Sequence, residues 1–202
     1  MKISPTYSNN HWNDLNLTQS YSDEWIEGAN IVYDRIHGRY LAQIETLEQH
    51  LNVDIWLYSG FLIIGIDCMV IETLNQFYLG ISDTNQVYDG RNRESFRDFF
   101  LGSQFFNNDF DEDISFLFYD HVRNGLLHQA QTKGKTLINI NESEMIIKAN
   151  PNDLSEGIIL NRELFHEALV NEFKAYIKKL KTDNSAHDDL RGKCIDKMAT
   201  IC

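Results

Sequence analysis

Proline occurs at only two positions, Pro5 and Pro151, so residues 6–150 contain nothing that forbids the interior of a helix. Apolar residues recur through that stretch at spacings of three and four, and the two features together predict a run of long helices. The first is expected over 22–51. Ser22, Asp23 and Glu24 supply a cap and favourable N-terminal charge, and Trp25, Ile31, Val32, Ile36, Leu41, Ile44 and Leu47 form its buried stripe. A second, almost wholly apolar helix covers 55–78, and a third, carrying Phe96, Phe99 and Phe100, covers 94–101. A fourth is expected over 113–131 and a fifth over 161–180, the latter with Leu164, Phe165, Leu169, Phe173, Ile177 and Leu180 on one side. Two short β-branched pieces, 136–140 and 145–149, flank the polar NESE and predict a small β-hairpin insertion at 136–149. The expected fold is all-α, one domain over 1–202: an N-terminal arm (1–21), a helical bundle (22–181) and a tail (182–202) that ends in a short helix or frays.

Composition narrows the function. With 202 residues and 43% apolar content the chain can bury one sizeable core. The 18 Lys and Arg against 30 Asp and Glu give a formal charge of −12, so the surface at large repels polyphosphates and any nucleic-acid site must be a local basic island. The cysteines, Cys68, Cys194 and Cys202, are odd in number and form no CxxC, which argues against a disulfide framework or a zinc site. Together with an N-terminus lacking an apolar run, they lead to the expectation of a cytoplasmic protein with reduced thiols. The 55–78 helix tempts a membrane reading, but Asp67 and Glu72 near its middle favour a buried core helix, and no membrane partner is expected.

Familiar motifs fail on inspection. QAQTKGKT ends like a phosphate-binding loop but has Gln129 where that loop needs glycine, and its strand and helix are in the wrong order. His166-Glu167 lacks the second histidine of a zinc-protease helix, and no pair among the seven histidines is spaced i, i+4, so no metal and no cofactor are expected. What remains is Arg123-Asn124-Gly125-Leu126-Leu127-His128 in the fourth helix: a permanent cation, an amide and a base of near-neutral pKa within six positions. On a straight helix Asn124 and His128 lie about 40° apart, whereas Arg123 and His128 lie about 140° apart. Either the helix deforms near Gly125, or a second copy supplies the partner group across a twofold axis.

These residue types suit metal-free cleavage of RNA, in which a base takes the proton from the 2′-OH and a cation stabilises the phosphoryl oxygens. His128 is then the base or acid, Arg123 the phosphate clamp and Asn124 an orienting group. Between Val122 and Lys135 stand Arg123, Lys133 and Lys135 and no acidic residue, so Lys133 and Lys135 are candidate RNA contacts. His121 lies about 20° from His128 on the helical wheel and is a further candidate. The structural alternative has Arg123 satisfied by Asp67, Glu72 or a helix end.

In VRNGLLHQA the sequence resembles the HEPN superfamily, whose mark is an Arg, commonly followed by a polar residue, with four to six residues between it and a His; His128 stands at the short end of that range. The likeness extends over about 23–181, with an apolar helix before the motif and a closing helix after it. The resemblance implies an antiparallel helical bundle and a metal-independent endoribonuclease. It also implies a homodimer in which two motifs form one site, in a toxin–antitoxin or antiviral setting with a protein antitoxin or defence partner. Some family toxins carry a modifiable Tyr two residues after the His, where this chain has Ala130. The rival reading is a non-catalytic module of the same bundle that binds a protein partner or a nucleotide.

Overall fold

The computed structural model describes residues 1–202. Every expected helix forms, and three of them are interrupted. The first runs as α2 (Glu24–Ile36), a π-helical turn (His37–Leu41) and α3 (Ala42–Glu48), preceded by a short α1 (Asn9–Asn13). The second divides at Ser59 into α4 (Val53–Tyr58) and α5 (Gly60–Leu79). After α6 (Asn85–Tyr88) and α7 (Asn92–Gly102), the fourth region comprises α8 (Glu112–Leu117), a π-helical segment (Phe118–Arg123) and α9 (Asn124–Gln129). Asp111 caps α8 by accepting the Ile114 amide at 2.8 Å.

The hairpin expected at 136–149 is corrected. Strands β1 (Leu137–Asn139) and β2 (Ile146–Lys148) both form, but they do not pair with each other. A third strand, β3 (Ile158–Asn161), lies between them, parallel to β1 and antiparallel to β2, with Leu160 opposite both Ile138 and Ile146. The reason is burial: two three-residue strands cannot cover their own apolar face, whereas β3 places Ile158 and Leu160 in the core and makes a sheet of three. Its last residue, Asn161, then caps α10 (Arg162–Lys181) by accepting the amides of Glu163 and Leu164.

The tail does not fray. It forms α11 (Asp188–Ala199), burying Arg191, Cys194 and Met198 against the body. The N-terminal arm is fastened as well, since Ile3 and Trp12 are buried and Ser4 donates to Asp34 of α2 at 2.6 Å. The whole is an all-α bundle carrying a small, open three-stranded sheet.

Helix α5 is the axis of the bundle, with α7, α9, α10 and α11 packed around it. Its length and composition would suffice to cross a membrane, but half of it is buried inside the protein. Beside it Phe96, Phe100, Phe106, Phe110, Phe118 and Phe165 form a buried aromatic cluster, Phe100 stacking on Phe110 at 3.9 Å and Phe118 on Phe165 at 5.1 Å. Such pairs each add about 0.5–1.5 kcal/mol beyond the area they bury, so this cluster fixes the α8–α9 region against α7 and α10.

Candidate functional site

The helix that carries the Arg–His motif deforms where the sequence left that option open. Phe118–Arg123 is wound as a π-helix and hands over to α9 at Asn124, one residue before Gly125. Short π segments inside α-helices recur at functional sites, because the extra residue in the turn turns side chains onto another face. Arg123 is the last residue of that π segment and Asn124–His128 lie on α9, and this junction does not link Arg123 to His128 of the same chain. They make no contact through hydrogen bonds.

Arg123 is mostly buried, its side chain 17% exposed. Nη2 donates to Glu72 of α5 at 3.2 Å, Nη1 donates to Asn124 Oδ1 at 3.1 Å, and the guanidinium lies 5.3 Å from the centre of the Tyr119 ring. Its Nε has no partner. Glu72 and Asn124 thus hold the guanidinium at the wall of a cavity of about 240 Å³, shared with Gly65, Cys68, Met69 and Leu127. An adjoining groove of about 430 Å³ between α5 and α9 is almost wholly apolar, lined in part by Phe61, Leu62, Met69, Leu126 and Leu127. Leu62, Met69 and Leu127 remain substantially exposed there. His128, by contrast, sits on the outer last turn of α9, exposed and free of hydrogen bonds.

Gly125 is required by close packing. A Cβ at this position would stand 2.5 Å from the Gln131 carbonyl oxygen, because the chain leaves α9 through Ala130 in a left-handed conformation (φ 51°) and folds back over the helix. The returning loop is held by His121, whose backbone carbonyl accepts the Lys133 amide at 3.0 Å and whose Nδ1 shares a hydrogen bond with Thr136 Oγ1 at 3.1 Å. Burial pushes the His121 imidazole below its usual pKa, against the opposing influence of Asp120. His121 therefore braces the loop that follows the motif.

The basic island is weaker in space than along the chain. Arg123 pairs with Glu72, and Lys135 forms an ion pair and hydrogen bond with Glu156, brought in by the segment before β3. Of the three cations only Lys133 has no ion-pair partner. Sequence reading named Glu72 among the possible partners of Arg123, but it missed two acid-centred networks. Asp67 of α5, completely buried, meets His166 Nδ1 of α10 at 2.9 Å. Glu172 accepts hydrogen bonds from Tyr78 and Ser103, both at 2.5 Å. Burial alone would lower the His166 pKa, but the hydrogen bond and charge of Asp67 outweigh it and raise the value above 6.5. A signal existed, since Asp67 and His166 each interrupt an apolar stripe, yet they lie 99 positions apart.

The chain matches no protein-family model, no curated protein and no solved structure.

Proposed function

We propose that the protein is a metal-independent endoribonuclease of HEPN type, working as a homodimer in a toxin–antitoxin or antiviral setting. The observation that carries this reading is the arrangement of the motif: His128 free and exposed one turn beyond an Arg123 that Glu72 and Asn124 orient, with the apolar α5–α9 groove beside them, lined by Leu126 and Leu127 of the motif. Because Arg123 and His128 of one chain diverge, the reactive set is completed by a second copy seated on that groove. In the reaction His128 takes the 2′-OH proton, the 2′ oxygen attacks phosphorus, Arg123 stabilises the charge on the phosphoryl oxygens, and the P–O5′ bond breaks as the 5′ oxygen takes a proton from water. The products are a 2′,3′-cyclic phosphate and a 5′-OH. Helices α5, α8, α9 and α10 would correspond to the antiparallel HEPN-like core, and Lys133 is the cation left free to meet the RNA backbone.

One observation favours the second reading, a non-catalytic module for a protein partner or nucleotide: the Arg123–Glu72 ion pair satisfies within one chain the cation that the nuclease would present to phosphate. The test is incubation of the purified full chain with mixed RNA in EDTA, over a concentration range that spans dimer formation. Fragments ending in 2′,3′-cyclic phosphate support the nuclease. Intact RNA at every concentration supports the module.

A further inference from the structure

Two carboxylates are buried, and they differ in how their charge is met. Asp67 has the His166 imidazole against it. Glu172 of α10 accepts from the hydroxyls of Tyr78 and Ser103, and no cation pairs with it. A carboxylate offers about four lone-pair sites, so two hydroxyls leave half of them unused, and a buried charge is ordinarily paired.

Glu172 stands in the wall of a cavity of about 190 Å³ between α5, α7 and α10. Asn75 of α5, 7% exposed, shares that wall. Its Nδ2 donates to Ser95 Oγ at 2.7 Å, away from the cavity, while its Oδ1 accepts nothing and, unlike the sealed orphan atoms of the core, keeps accessible surface. Buried polar groups are nearly always paired, so an open acceptor beside a carboxylate without a cation is the complement of a positively charged N–H donor. Asp98 at the rim is already engaged, by Arg97 at 2.8 Å and by Tyr88 at 3.1 Å. Lys179, in the same wall, is free of hydrogen bonds and ion pairs, its Nζ 5.9 Å from the centre of the Tyr78 ring. Glu172 and Lys179 are separated by two turns of α10, a rise of about 10.5 Å, so the two charges flank the cavity without meeting each other.

We propose that this cavity binds a small zwitterion with an ammonium and a carboxylate at opposite ends of a short aliphatic chain. The ammonium donates to Asn75 Oδ1 in the field of Glu172, the carboxylate meets Lys179 Nζ, and the chain lies against Phe99 and the Tyr78 ring. A ligand carrying only positive charge would be repelled by Lys179 and one carrying only negative charge by Glu172, so a molecule with both satisfies the two ends at once. The volume, below the usual range of ligand pockets, admits only a few heavy atoms. The proposal is independent of the Arg123 site.

The test titrates 4-aminobutyrate, with butylamine and butyrate as single-charge controls, into the 15N-labelled full chain and follows the backbone amides of Gly102 and Ser103 and the side-chain amide of Asn75. The expected result is saturable shifts confined to the cavity, with each control binding about tenfold more weakly or worse, the loss that follows from removing a charge-assisted hydrogen bond. Lys179→Met, at a partly exposed position, is expected to erase the advantage of 4-aminobutyrate over butylamine. Gly102 is exposed at the rim and a Cβ there meets open space, so Gly102→Trp is expected to close the cavity and abolish the shifts without disturbing the core. Should Gly102→Trp fail to fold, the three-ligand comparison on the wild type decides alone. No saturable shift, a control that binds as tightly as 4-aminobutyrate, an undiminished preference in Lys179→Met, or undiminished binding by a folded Gly102→Trp overturns the proposal.

Discussion

Replacing glycine by alanine inside a helix ordinarily stabilises it by about 0.5–1 kcal/mol, because alanine loses less backbone freedom on folding. Two helical glycines border the candidate site, and the structure predicts opposite signs for them. At Gly65 of α5 no atom lies within 4 Å of an added Cβ, so Gly65→Ala is expected to gain that amount. At Gly125 of α9 the added Cβ would sit 2.5 Å from the Gln131 carbonyl oxygen and 3.2 Å from the Thr132 Cα, about 1 Å inside normal contact with a backbone atom that cannot rotate away. Overpacking of this kind costs about 1–3 kcal/mol, so after subtracting the helix gain Gly125→Ala is expected to lose up to about 2.5 kcal/mol. The helix gain is common to both variants, so for a chain of this size they should differ in Tm by roughly 2–12 °C, and by the corresponding shift in urea midpoint at unchanged slope. A Gly125→Ala protein as stable as Gly65→Ala refutes the claim that the 131–132 backbone presses on the motif helix.

Three further outcomes follow from the same structure. Ala130→Gly relieves a left-handed alanine at the end of α9 and is expected to raise stability by about 0.5–1 kcal/mol, read from the urea midpoint; an unchanged or lower midpoint contradicts it. The raised His166 pKa means that its charged form is favoured in the folded state, so the contribution is full below the unfolded value near 6.5 and is lost as pH rises through the folded value. Wild-type stability should therefore fall from pH 6 toward pH 9 more steeply than that of Asp67→Asn, and parallel profiles would remove the pair from the account. Glu72→Gln, at a partly exposed ion pair, should cost about 1 kcal/mol at most while lowering RNA cleavage by freeing Arg123 from its orienting contact; large instability with unchanged cleavage reverses the assignment.

The helical content was legible because periodicity and the lack of proline are local properties. The breaks were not. Nothing in the local sequence distinguishes the π turns at His37–Leu41 and Phe118–Arg123 from α-helix. The sheet failed for a related reason: Ile158–Asn161 reads as the approach to a helix, and only the need to bury the apolar side of two three-residue strands makes it their central strand. At the site, the residue types were readable, and a helix that deforms near Gly125 was one of the two alternatives they allowed. The charge was misjudged, because Glu72 and Glu156 lie far along the chain from the Arg123–Lys135 window they neutralise.

The central claim is that His128 moves the proton in RNA cleavage without a metal. Its most direct measurement is the rate of RNA cleavage in EDTA by wild type and His128→Ala at equal concentration, alongside their urea midpoints. His128 is exposed and makes no hydrogen bond, so the substitution should leave stability within about 0.5 kcal/mol. The account predicts cleavage by the wild type and a loss of about a hundredfold or more in the variant, the range for removing a general acid or base. Equal rates from two equally stable proteins, or no cleavage by the wild type, would contradict it.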